Sequence, residues 1–145
     1  INDSTVLAED IPGLKVHVCS LVAPDSPAGR PWTPVYIHSK LMIVDDVFTT
    51  HGSANINTRS MQVDSELNIA HHRPEITAEA RRKLWTAHTG SRSGHESCNP
   101  VELEDAHQNW GKLLDKNRSL RGQHLSPHMM LSPLVRLSSK RANMD

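Results

Sequence analysis

Residues 35–70 read VYIHSKLMIVDDVFTTHGSANINTRSMQVDSELNIA, and the mixture of apolar and polar residues in this stretch decides how the chain is expected to fold. From position 35 to 44 the residues are β-branched or apolar enough for a strand, yet His38, Ser39 and Lys40 interrupt its middle. Alternation along a strand puts His38 and Lys40 on one face and Ser39 on the other. Asp45 and Asp46 supply a turn, residues 47–50 a further short strand, Gly52 and Ser53 another change of direction, and residues 67–70 one more strand. The segment after the turn is expected to bring Asn55 back alongside His38 and Lys40. An imidazole, an ammonium and a carboxamide converging on one point suit a phosphodiester. One group attacks or donates a proton while the others hold the non-bridging oxygens.

Written as a pattern, the stretch is HxK(x)4D(x)6GSxN. With six fixed positions in 145 residues, a chance match is on the order of one in a million. The pattern resembles that of the phospholipase D superfamily, and the resemblance runs through residues 35–70, about a quarter of the chain. It implies that His38 is a catalytic imidazole, either the nucleophile that forms a phosphohistidine or the acid that protonates the leaving group. It implies that Lys40 and Asn55 bind the phosphoryl oxygens, with Ser53 adding hydrogen bonds nearby. Glu66 matches the acidic residue that follows the motif in the family, which accepts from the second imidazole nitrogen and fixes the tautomer. Asp45 and Gly52 are implied to be structural members of the motif, and no metal or other cofactor is implied.

Members of this superfamily resemble one another in needing two such motifs, drawn from two halves of one chain or from two identical subunits. This chain carries one. The implied partner is therefore the N-terminal half of the same parent chain, or a second copy, and the implied substrate is a phospholipid membrane surface. The resemblance leaves two alternatives open, a homodimeric phosphodiesterase or nuclease and a phosphatidyltransferase similar to cardiolipin synthase. The run GSANINTRSMQVDSE, with Ala54 where the short nucleases carry an aromatic residue, resembles the second motif of true lipases. The continuation through residues 64–85 is similar to bacterial phospholipase D effectors exported by type VI secretion.

Outward from the motif, residues 14–22 form an apolar, partly alternating run that predicts a strand, followed by a long loop between Pro24 and Pro34. After it, Pro74 opens a segment with Glu75 and Glu79 early and Arg81, Arg82 and Lys83 later. In it Ile76, Ala80, Leu84 and Ala87 share a helical face, so a helix with that face in the core is expected. A Gly- and Ser-rich loop covers residues 89–100, and Leu103, Ala106, Trp110 and Leu113 mark a second helix despite Gly111, which costs about 1 kcal/mol there. The tail from Arg121 lacks periodicity and is expected to be irregular. Together these predict an α/β fold, a mixed β-sheet flanked by helices. The resemblance implies that this is half of an α/β/α sandwich, with residues 1–122 the C-terminal catalytic half, its motif at 38–55, and residues 123–145 a tail.

Composition narrows the function classes. Sixteen basic and sixteen acidic residues cancel, whereas general nucleic-acid binding leaves a basic footprint, so no nucleic-acid partner is expected. The apolar runs are far shorter than the roughly 20 residues a membrane span needs, and a chain that at most touches a bilayer surface is expected. No signal peptide is visible, and the chain reads as a piece of a longer one. Cys19 and Cys98 match neither a CxxC nor a zinc framework and read as one buried and one exposed thiol. His124 and His128 could share a helix face, but Pro127 and Pro133 and the lack of an acidic partner argue against a metal pair. His51 and His71 lie near the motif and are read as surface residues.

Overall fold

The computed structural model describes residues 11–91 and 99–134. Its elements run β1 (Cys19–Val22), β2 (Pro34–Val35), β3 (Lys40–Val44), β4 (Phe48–Gly52), α1 (Thr58–Gln62), β5 (Asn68–His71), α2 (Pro74–Thr89), α3 (Pro100–Gly122) and β6 (Leu131–Pro133). The class is α/β, as expected, but the detail differs from a single mixed sheet. The described strands form two three-stranded sheets, in the orders β2-β1-β6 and β3-β4-β5, and every pairing is antiparallel.

The strand expected over residues 35–44 is divided between these sheets. Val35 pairs with Leu21 in the first sheet, and Lys40 pairs with Gly52 in the second. A chain cannot sit in both ladders without crossing between them, and residues 36–39 make that crossing outside either strand. His38 therefore precedes β3 rather than lying within it. Likewise β1 is only the end of the run expected from residue 14.

The β3–β4 turn closes through Val47 N–H donating to Val44 O at 3.0 Å. Its two central residues, Asp45 and Asp46, both take positive φ, 49° and 54°. That is the geometry of the two-residue hairpin turn whose twist matches its strands, and Asp tolerates it better than most residues.

Helix α2 forms where expected, yet the face it buries is a different one. Thr77 and Arg81 are buried, while Ile76 and Leu84 remain 46% and 37% exposed. Polar groups occupy the buried stripe because each finds a partner. Thr77 Oγ1 shares a 2.8 Å hydrogen bond with Thr49 Oγ1 of β4. Arg81 grips Asp46 with two bonds, Nε to Oδ1 at 2.6 Å and Nη2 to Oδ2 at 2.7 Å, and its guanidinium lies over the Trp85 ring. These contacts lock α2 onto one face of the β3-β4-β5 sheet.

Helix α3 begins with Asn99 capping Glu102 N–H at 2.9 Å. Of the expected stripe it buries Ala106 and Leu113, with Leu103 and Trp110 partly buried, and it also buries Leu114 and Asn117. Leu21, Leu113, Leu114 and Leu131 form the core cluster, with Cys19, Trp110, Met129 and Met130 packed against it. Each fully buried leucine contributes about 1.5–3 kcal/mol. The tail expected to be irregular contains β6, paired with β1. Asn117 explains it: Nδ2 donates to the carbonyls of Met129 (3.0 Å) and Leu131 (2.6 Å), and Oδ1 accepts from His128 N–H (2.8 Å). A buried amide with all these bonds made pins residues 128–131 against the helix. Cys19 is half-buried, and burial pushes its thiol pKa up. Cys98, most of the expected loop at residues 89–100, and the tail beyond residue 134 lie outside the described residues.

Candidate active site

Residues opposite one another in an antiparallel ladder share a face. Lys40, Gly52 and Asn68 are such a row across β3, β4 and β5. Thr49 and His71 belong to the alternate face, the one that meets α2 through Thr49. Lys40 thus lies on the face turned away from the helix. A cavity of about 440 Å³, lined by Leu41, Ile43, Arg81, Trp85 and Trp110 among others, opens on the helix side and is distinct from this row.

The Gly-Ser turn is held to the start of β5. Ser53 N–H donates to Leu67 O at 3.1 Å, and Leu67 N–H donates back to Ser53 Oγ at 3.1 Å. Ser53 Oγ–H in turn donates to Glu66 Oε2 at 2.5 Å. The hydrogen bonds from Ser53 and then Ser60 hold the Glu66 carboxyl below its ordinary pKa against desolvation, with lesser help from the positive charges of Lys40 and Arg59. Glu66 is therefore a carboxylate across the neutral range. Among the described residues no hydrogen bond joins it to His38, so the tautomer-fixing contact expected of Glu66 is not made. Its oxygen is taken by Ser53.

His38 is exposed, and its ring stacks on Tyr36 with centroids 6.0 Å apart. Lys40 Nζ folds back to donate to the His38 carbonyl at 2.7 Å, which keeps the ammonium beside the imidazole-bearing residue. Asn55 is exposed on the loop between β4 and α1, and its side chain makes no hydrogen bond among the described residues. The sheet brings Lys40, Gly52, Ser53 and Glu66 together. His38 and Asn55 sit on the two loops flanking that group.

Asp45 is exposed at the hairpin tip, where it takes a positive φ. The adjacent Asp46, expected only to help make the turn, carries the ion pair to Arg81. His51 lies on the alternate face of β4 with Leu41 and Ile69. Among the described residues no three His, Cys, Asp or Glu side chains are grouped to hold a metal ion, and no helix is long and apolar enough to cross a membrane.

Large apolar side chains stand exposed on the loops that carry the site residues, Tyr36 at 85%, Ile56 at 91% and Leu67 at 77%, while Ile69, at 71%, is exposed on the alternate face.

The family model for phospholipase D matches residues 28–140. The chain belongs to the phospholipase D family. Phospholipase D delta of Arabidopsis thaliana is 32% identical over 121 residues, 69% of this chain and 13% of that protein. Phospholipase D alpha 4 of the same plant is 48% identical over 78 residues, 48% of this chain and 10% of that protein. Phospholipase D alpha 1 of Vigna unguiculata is 34% identical over 94 residues, 57% of this chain and 11% of that protein. This phospholipase D family chain thus spans only about a tenth of the length of these curated relatives. No solved structure matches it significantly.

Proposed function

We propose that this chain is one of two catalytic halves of a phospholipase D that hydrolyses phospholipids to phosphatidic acid and the free headgroup alcohol. The observation that carries the reading is the retention, in a member of this family, of the polar residues His38, Lys40, Ser53, Asn55 and Glu66 around one end of a single hairpin sheet, with the motif's Asp45 at the turn at its other end. In the proposed reaction, one of two motif imidazoles attacks phosphorus. The bond to the headgroup oxygen breaks, and the other imidazole gives that oxygen its proton. Water, deprotonated by the second imidazole, then cleaves the phosphorus–nitrogen bond. His38 is one of these two imidazoles. Lys40 balances the charge on the non-bridging oxygens and Asn55 donates hydrogen bonds to them. These side chains supply nucleophile, acid and charge stabilisation, and the proposal includes no metal cofactor.

One motif provides one imidazole, so the second comes from the other half of the parent chain or from a second copy. The exposed apolar residues around the site, Tyr36, Ile56 and Leu67, favour such a covering partner. Activity of the parent and of this isolated chain would be compared on phosphatidylcholine vesicles and on plasmid DNA in chelator. The proposal expects phosphatidic acid from the parent, near-silence from the isolated chain and intact plasmid. Turnover by the isolated monomer that is independent of its concentration would overturn the two-half reading. DNA cleavage that rises with dimerisation would replace it with a nuclease.

A further inference from the structure

Beyond the bonds that tie Ser53 to Leu67 and Glu66, the loop that carries Asn55 is held on either side of that residue. On one side, Asn57 caps α1, its Oδ1 accepting from Ser60 N–H at 2.8 Å. On the other, Ala54 N–H donates to Asn68 Oδ1 at 3.2 Å. Between these anchors lie only Asn55 and Ile56. Ile56 is 91% exposed and Asn55 is also exposed, so no packing holds either of them.

Asn68 is an unusual residue for its place. It is exposed on β5, where asparagine is disfavoured as a strand residue and contributes nothing to a core. It sits opposite Gly52 in the ladder, and Gly52 is opposite Lys40. A Cβ at Gly52 would collide with Asn68 Oδ1 and Leu67 O. The glycine therefore leaves the room that the carboxamide occupies, and the two residues form a complementary pair. The amide nitrogen of Asn68 faces Thr50 Oγ1 at 3.5 Å, and its oxygen faces the loop. A carboxamide oxygen can take the Ala54 amide without adding a second negative charge beside Glu66, next to where an anionic phosphate would bind.

We propose that Asn68 is a positioning residue of this site: seated against Gly52, it holds the Ala54 amide and so fixes the loop that presents Asn55 to the substrate phosphate. This rests on the phospholipase D reading above. Misplacing a group that meets the transition state by about an ångström costs on the order of 100-fold in rate.

The test uses the full-length parent carrying Asn68→Leu, which keeps the branching at Cγ and removes the acceptor, and Asn68→Asp, which keeps an acceptor oxygen. Three quantities are measured: amide hydrogen exchange at Ala54, kcat and KM on phosphatidylcholine vesicles, and the melting temperature. Asn68→Leu is expected to speed Ala54 exchange and to lower kcat roughly 10- to 100-fold, with KM and melting temperature unchanged. Asn68→Asp is expected to keep Ala54 protected and to recover part of the lost kcat. Wild-type kcat in folded Asn68→Leu, or Ala54 exchange indifferent to that substitution, would overturn the proposal. A wild-type parent without lipid turnover would instead sink the phospholipase reading, and Ala54 exchange would still decide whether Asn68 anchors the loop.

Discussion

Asp46→Asn isolates the contact that ties the motif hairpin to α2. The Arg81 side chain is 4% exposed and Asp46 13%, and the two are joined by a bidentate pair at 2.6 and 2.7 Å. Removing one partner of a buried ion pair costs about 3–5 kcal/mol because the other charge is left uncompensated. Asparagine keeps the left-handed turn at φ 54° and one acceptor oxygen, so the loss should fall at the lower end, about 3 kcal/mol. For a chain of this size that corresponds to a melting temperature lower by about 6–12 °C. Asp45→Asn is the internal control: it sits in the same turn with φ 49° but is exposed, and should stay within about 0.5 kcal/mol of wild type. The double substitution Asp46→Asn with Arg81→Met should recover part of the loss, since no buried charge is left unpaired. Thermal unfolding of the single and double variants reads all of these. Equal, small effects at positions 45 and 46, or a larger one at 45, would refute the assignment of the structural role to Asp46.

Lys40→Ala in the parent should lower kcat by about 10- to 100-fold or more, since a charge-assisted bond to phosphate is worth about 1.5–3 kcal/mol; wild-type turnover by the folded variant would remove Lys40 from the phosphate. Glu66 owes its lowered pKa first to Ser53, so its contact with Ser53 is present above the ordinary carboxylate pKa and lost as pH falls through the lower folded value. A titration of the Glu66 carboxyl followed by NMR should move up toward the ordinary range in Ser53→Ala, and an unmoved value would contradict that cause. His88 is half-buried beside Trp110, and burial lowers its pKa. As pH falls through about 6.5 the unfolded chain takes up this proton first, so stability should decline there. Urea midpoints at pH 7.5 and 5.5 should differ less in His88→Gln than in wild type.

The motif was legible because its chemistry is written in consecutive short-range positions. The hairpin, the Gly-Ser turn and the two long helices followed from turn residues, proline and charge order. What the sequence did not reveal were contacts between distant polar residues. Arg81 reads as part of the basic end of α2, yet it is buried because Asp46 lies 35 positions earlier in the chain. Asn117 looks like an ordinary polar residue in a helix, yet it fixes β6 through bonds to residues 128–131. Apolar periodicity chose the wrong face of α2 for the same reason: Thr77 and Arg81 are satisfied in the interior, and Ile76 and Leu84 are not needed there. The break between β2 and β3 depends on which partner strand each end meets, and propensity along residues 35–44 carries no trace of that. Asn68 has no signal of its own in the sequence. It becomes visible only through its register with Gly52.

The central claim is that His38 belongs to a two-imidazole site that holds the lipid phosphoryl group on the enzyme until an acceptor arrives. The parent enzyme, given phosphatidylcholine vesicles with and without butan-1-ol, tests it most directly. A shared phosphohistidine partitions between water and the alcohol, so phosphatidylbutanol should form at the expense of phosphatidic acid. Both products should fall by roughly 100- to 10,000-fold in His38→Ala. Phosphatidic acid formed with no alcohol product, or His38→Ala retaining wild-type turnover, would contradict the account.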